Sequence, residues 1–302
     1  MDPLAGFLAA AVRIGTPLLL AATGELVTER AGVINLSIEG AMLAGALGSA
    51  LGATAWGTSG GALGGLLAGM AVAGCFALVS VLGRADQVIA GTALTLASLG
   101  LTGTIYHRAY GAAGAMLSLP TMATVRIPGL AGIPWLGPAL FQQPLVTYLA
   151  VLLAPVGWWL LFRTTWGLTL RAVGEAPEAA RAAGVRVERT QVLATLIGGA
   201  LTGLAGATLV LAQVGTFVER MTAGRGFIAI AIVVLGRWHP FGVLGAALLF
   251  GAANALQFAL QAMGLAVPYQ LFLMLPYVLA LLALAGAVGG GRARAPAALG
   301  KS

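Results

Sequence analysis

The sequence predicts an all-α bundle of transmembrane helices, and three observations carry that prediction. Charge is too scarce for a water-facing surface, apolar runs recur at spanning length, and glycine is abundant at helix-packing spacings. Hydrophobic residues make up 59% of the 302-residue chain and charged residues 8%, against roughly 25% charge in soluble domains. Surplus apolar surface of that kind calls for an apolar solvent, and membrane lipid supplies one. No polar stretch is long enough to build a second core, so the whole chain, residues 1–302, reads as one membrane domain.

A spanning helix needs about 20 mostly apolar residues. In chain order the runs are Leu4–Thr23, Gly40–Trp56, Gly60–Leu82, Val88–Tyr106, Pro144–Phe162, Gln191–Ala212, Phe241–Met263 and Leu271–Val288. Gly226–Leu235 is about half the usual length and fits a half-helix or re-entrant element. The first run lacks a basic start and carries Arg13, so it is expected to be a retained span and not a cleaved leader. Backbone at membrane depth must be hydrogen-bonded internally, and the alternation of a β-barrel is absent. Gly60, Gly61, Gly64, Gly65 and Gly69, and again Gly199 and Gly203, are spaced for close helix approach.

The net charge of +7 forms no basic face, so nucleic acid is not an expected partner; positive cytoplasmic loops explain it better. Arg163, Arg171, Arg181, Arg186 and Arg189 mark a cytoplasmic segment, as do Arg292, Arg294 and Lys301 in the tail. The loop Arg108–Gln143 is poor in arginine and is expected outside. All of these sides agree only if Gly226–Leu235 counts as a crossing, which gives about nine crossings within a range of about eight to ten. Cys75, alone, can form no intrachain disulfide and is expected to pack as a small residue.

Three stretches interrupt the apolar pattern. Between Leu170 and Gly184, Pro177 suits the first turn of a helix, Glu175 and Glu178 its positive end, and Gly184 its left-handed cap. A helix of about two turns, within a coupling segment at about 171–188, is too short to stand alone; it is either packed on a partner or a solvated turn. Glu25 and Glu29 share a helical face, Arg30 is adjacent, and Gly32 and Asn35 would break the helix before Glu39. This stretch lies either at membrane depth, where Asn35 and Ser37 could bond solute hydroxyls, or in a tight cytoplasmic loop with local ion pairs. Gln213–Arg225, with Glu219 and Arg220, either forms an outward mouth or faces a soluble partner and water. His239 and His107 fall on opposite sides, so no metal site is expected, and Trp238 is expected to anchor at the membrane interface.

Glu178-Ala179-Ala180 followed by Gly184 resembles the EAA motif of permease subunits of ATP-binding cassette (ABC) importers. Glu29-Arg30-Ala31-Gly32-Val33-Ile34-Asn35-Leu36-Ser37-Ile38-Glu39-Gly40 resembles the signature after the first span of nucleoside and simple-sugar permeases. Gly224-Arg225-Gly226-Phe227-Ile228-Ala229 through Gly236-Arg237-Trp238-His239-Pro240-Phe241-Gly242 is similar to their late signature. The blocks occur in family order, and the resemblance covers most of residues 10–288; the wider group includes branched-chain amino-acid and ribose permeases. It implies transport of a nucleoside or simple sugar across the cytoplasmic (inner) membrane by alternating access. ATPase coupling would fall on Glu175, Pro177, Glu178, Ala179, Ala180, Arg181 and Gly184, and the substrate path on Glu25, Glu29, Asn35, Ser37, Glu39, Gly226 and Phe227. The implied partners are ABC ATPase subunits, a second permease (identical or a paralogue) and an extracytoplasmic solute-binding protein. The chain has no G-x-x-x-x-G-K-[ST] loop, so it is expected to carry no cofactor and no catalytic residue, with ATP used by the partner subunits. An intramembrane enzyme would need converging catalytic groups; an ion-coupled secondary transporter would leave the docking helix unexplained.

Overall fold

A computed structural model describes residues 3–111, 118–133, 136–262 and 295–300, with single positions 270, 274, 278 and 281. The expected span Leu271–Val288 and the tail residues Arg292, Arg294 and Lys301 fall, apart from those single positions, outside the described residues.

Helix α1, Pro3–Arg30, is the central element and packs against most of the others. It runs a further two turns past the apolar stretch that marks it in the sequence. Pro17 sits inside it, and Thr16 returns a hydroxyl bond to Val12 and a second contact to Thr147. Helix α2, Ile38–Phe76, is bent back on itself at Trp56 and Gly57, where φ turns to +67°. Its two arms pack Gly48 on Gly64 and Gly52 on Gly60 with no side chain between them. A π-helical turn, Ala77–Leu82, closes its second arm.

Helix α3, Gln87–Tyr110, is capped by Asp86, whose carboxylate accepts the Val88 and Ile89 N–H groups at 2.9 Å. The loop beyond it contains a two-stranded antiparallel ladder, β1 (Thr124–Arg126) with β2 (Gln142–Pro144), and a short helix α4, Leu136–Leu140. None of these was expected from an all-helical reading. Helix α5, Leu145–Arg163, follows directly.

The arginine-rich segment is more structured than a loop around one helix. It holds α6, Thr165–Glu175, with Thr164 as N-cap at 3.1 Å from Gly167 N, and α7, Pro177–Ala182. Extended backbone at Ala176 separates the two. Helix α8, Val187–Thr208, then continues through a second π-helical turn, Leu209–Val214. Its glycines meet both arms of α2: Gly203 lies on Gly45, Gly65 and Gly69, and Gly206 on Met42. The predicted glycine stripe is therefore two adjacent stripes, with Gly60 and Gly64 facing the first arm of α2, and Gly65 and Gly69 facing α8. Helix α9, Arg225–Leu235, is the expected half-length element, and α10, Pro240–Ala262, packs along α1 with Gly251 on Gly15.

Among the described residues, six helical segments are long and apolar enough to cross a bilayer, the bent α2 being one of them. The fold is thus an all-α membrane bundle. Cys75 is exposed on the outside of α2, and not packed as the sequence suggested. Trp238 is buried and not an interfacial anchor.

Candidate functional site

After α1 ends, the chain turns at Gly32 (φ +85°) and climbs back into the bundle. Position along α3 measures the climb. Ile34 N–H bonds the Gln87 side chain at 2.8 Å, at the first residue of α3. The Leu36 carbonyl accepts the Thr95 hydroxyl at 3.0 Å, and Gly40 lies against Thr95 and Ser98. At 1.5 Å per residue, Ser98 is about 16 Å beyond the start of α3. The Asn35–Glu39 stretch therefore rises within the bundle, from near the start of α3 at Asn35 to about its middle at Glu39.

The acidic side chains here are buried and held by hydrogen bonds, not by local ion pairs. A Glu25 carboxylate oxygen accepts Asn35 N–H at 3.0 Å. Glu29 accepts the Trp238 indole N–H, and Arg30 donates to the Trp238 carbonyl and not to Glu25 or Glu29. Asn35 and Ser37 pair with each other: the Asn35 Oδ1 accepts both the backbone N–H and the hydroxyl of Ser37. That oxygen serves the turn itself.

Glu39 ties the returning chain to the start of α9. One carboxylate oxygen accepts the Thr222 hydroxyl at 2.6 Å and Gly224 N–H at 2.8 Å; the other accepts Gly226 N–H at 2.7 Å. These are the unpaired donors at the start of α9. A negative charge at that positive helix end is favourable. Gly226 has to be glycine, because a Cβ there would stand 2.6 Å from the Glu39 backbone. At its other end α9 turns at Gly236–Trp238, beside Arg30 at the end of α1. Helix α9 thus joins Glu39, within the bundle, to the end of the molecule where α1 stops.

A cavity of about 360 Å³ opens beside Glu39, between α3 and the start of α9. Thr92, Thr95, Leu96, Leu99, Phe227 and Arg220 line it. Thr92 and Thr95 were not legible as site residues, whereas Arg220 belongs to the stretch read as an outward mouth or a face toward a soluble partner. Phe227 is 43% exposed and presents its ring there. Glu219 pairs with His107 at 2.6 Å, which links the second polar interruption to the end of α3.

At the opposite end, α7 has the cap that the sequence predicted, with Gly184 at φ +85°. Its faces correct the reading of the motif. Ala180 points inward, onto Val173 and Val187, while Ala179 and Glu178 face out. Arg181 bridges Glu178 at 3.3 Å and Glu188 at 2.6 Å. A cleft of about 430 Å³ separates this helix from the Arg84 turn and from Gln191. Helix α6 carries α7 to the α1–α2 turn: Gly174 lies directly on the Arg30 carbonyl and Gly32 N. Phe162 sits between the guanidinium groups of Arg171 and Arg30, at 4.9 and 5.8 Å from its ring centre. Gln191 from α8 bonds the Ala31 carbonyl at 3.2 Å. The turn after α1 is where α6, α8 and the end of α9 meet.

A bundle with a re-entrant turn, a half-helix at mid-depth and a capped helix at one end has the architecture of a membrane permease. Residues 7–284 match the family described as branched-chain amino acid transport system / permease component, and the chain belongs to that family. It is 43% identical over 269 residues to a putative glucose ABC transporter permease of Haloferax volcanii, covering 88% of this chain and 81% of that one. It is 38% identical to a guanosine ABC transporter permease of Bacillus subtilis and 34% identical to a nucleoside ABC transporter permease of Lactococcus lactis. Each of these two alignments covers 94% of this chain and 92% of the relative. No solved structure matches the chain.

Proposed function

We propose that this chain is the membrane-spanning subunit of an ATP-driven importer of nucleosides or simple sugars in the cytoplasmic membrane. The observation that carries the substrate class is the cavity beside Glu39. Its 360 Å³ falls in the range of small-molecule sites. The lining is mostly apolar, with the Phe227 ring suited to an aromatic solute, and the Thr92 and Thr95 hydroxyls, which donate to backbone carbonyls, keep acceptor lone pairs for a solute hydroxyl. Both Glu39 oxygens are already bonded, which leaves the cavity without a free carboxylate for the ammonium group of an amino acid. The names of the guanosine, nucleoside and glucose relatives support the same class.

The chain carries out no covalent chemistry in this reading. Separate ATPase subunits hydrolyse ATP and dock on the outward face of α7, at Glu178, Ala179 and Arg181. Their closure passes through α6 and Gly174 to the α1–α2 turn. From there it reaches Asn35, Glu39 and the start of α9. A second permease and an extracytoplasmic solute-binding protein complete the assembly. The two arms of α2, the half-helix α9 and a span beyond α10 bring the crossings to nine, with α7 cytoplasmic.

The test is uptake by proteoliposomes holding the complete complex. Labelled guanosine or glucose is expected to enter only with ATP and ATPase subunits, and leucine is not expected to compete. Ala179→Trp, on the outward face of α7, is expected to stop uptake while membrane insertion is kept. Uptake driven by an ion gradient without the ATPase would replace this reading with a secondary transporter; import of leucine alone would replace the substrate class.

A further inference from the structure

The described residues 295–300 lie in the seam between the end of α6 and the turn after α1. Ala298 N–H bonds the Gly174 carbonyl at 2.9 Å, and Gly300 N–H bonds the Gly32 carbonyl at 3.1 Å. Ala297 N–H approaches a Glu175 carboxylate oxygen at 3.3 Å. Leu299 N–H closes a turn on Pro296 at 3.1 Å, and the Leu299 side chain packs against the main core. The seam is tightest at Gly174, where a Cβ would collide with the Arg30 carbonyl oxygen and stand 3.2 Å from Gly32 N. A Cβ on Gly32 would reach Gly174 Cα at 3.4 Å and the Ala298 carbonyl at 3.6 Å, and one on Gly300 would reach the Ile34 side chain at 3.0 Å. Gly300 itself has φ +72°.

The join beneath this segment needs support. Gly174 meets Gly32 and Arg30 backbone to backbone, so no side chain bridges the join at that point, and the apolar burial of α6 falls on Leu170 and Val173 beside it. The hydrogen bonds of residues 297–300 tie one side of that join to the other. We propose that residues 296–300 form a strap that fixes the α6–α7 segment to the α1–α2 turn, so that both move as one body during transport. This rests on the assignment of α7 as the ATPase-docking helix. The strap stays docked through the cycle, and its residues position the coupling segment without touching solute or ATPase.

The full-length chain, assembled with its ATPase and binding-protein partners in proteoliposomes, tests this through Ala298→Pro, Gly300→Val and deletion of 296–302. Each is expected to lower solute imported per ATP hydrolysed by about fivefold or more, the factor attached to one net hydrogen bond. Assembly and basal ATP hydrolysis are expected to be retained. In a Cys75→Ala background, the thiol of Ala298→Cys, at a buried position, is expected to stay protected from an impermeant thiol reagent in both the nucleotide-free and the ATP-bound complex. Unchanged solute per ATP in the deletion, with Ala179→Trp inactive, overturns the strap and leaves the docking assignment standing. Normal transport by both overturns the docking assignment, and the strap with it. If the deletion fails to assemble, that thiol decides: labelling that rises in either state of the cycle overturns a strap that stays docked.

Discussion

Replacing Glu39 by alanine should destabilise the protein more than any surface change, because it strips the start of α9 of its acceptors. Three donors converge on that carboxylate, the Thr222 hydroxyl and the N–H groups of Gly224 and Gly226, at 2.6–2.8 Å. The hydroxyl can rotate to another acceptor, but the two amides cannot turn away. A buried donor left without a partner costs about 1–3 kcal/mol, so the two amides account for about 2–6 kcal/mol. Loss of the negative charge at the helix end adds up to about 2 kcal/mol. Water entering the vacated space recovers part of this, which leaves an expected loss of about 3–6 kcal/mol. Stabilities of whole domains are about 5–15 kcal/mol, so the loss is severe. Glu39→Gln keeps the shape and one acceptor oxygen and should lose about 1–3 kcal/mol. The assay is reversible unfolding in mixed micelles followed by tryptophan fluorescence, paired with uptake by proteoliposomes. A Glu39→Ala protein within about 1 kcal/mol of the parent, with normal uptake, would refute the idea that this carboxylate holds the half-helix in place.

Four further outcomes are expected. His239 stacks between Phe162 and Phe241, and burial, then the Arg30 charge, push its pKa below the ordinary value. The folded state therefore favours the neutral ring, and stability should fall as pH drops below about 6.5; a pH series of melting temperatures should lose this component in His239→Phe. Gly203→Val places a branched side chain against the backbone of Gly65 and Gly69 and should cost about 1–3 kcal/mol or more in the same unfolding assay. Gly6→Ala, with nothing within 4 Å of the added carbon, should be neutral. In a Cys75→Ala background, a cysteine at exposed Ala183 should react with an impermeant thiol reagent only from the ATPase side, and one at Leu130 only from the other; labelling of both from one side would overturn the topology.

The spans were legible because a bilayer imposes length and apolarity on every crossing segment, and local chemistry was legible where one residue decides it, as with Pro177 and Gly184. Hydropathy failed where a helix carries polar groups inward. Helix α1 continues through Glu25, Thr28, Glu29 and Arg30, all polar and all satisfied by the bundle. Helix α6 was hidden by its exposed positions beside a buried Leu170 and Val173. Which face of a two-turn helix points inward depends on its neighbours, so Ala180 could not be told from Ala179. The partners of Glu39 and Glu29 lie nearly two hundred residues away, and no local pattern connects them.

The glycine seams between α2 and α8 also constrain how this protein can change over generations. Every single-base change out of a glycine codon, other than a silent one or a stop, installs a larger residue. At Gly45, Gly65, Gly69 and Gly203 the space for that residue is already filled by backbone. Room for variation lies elsewhere, on the exposed apolar surface around Leu101 and Ile105, where the requirement is to stay apolar. Under the proposed function, selection on solute preference has the rim of the Phe227 cavity to work on, while the glycine-packed helices α2 and α8 are held to one residue type by the absence of any smaller alternative.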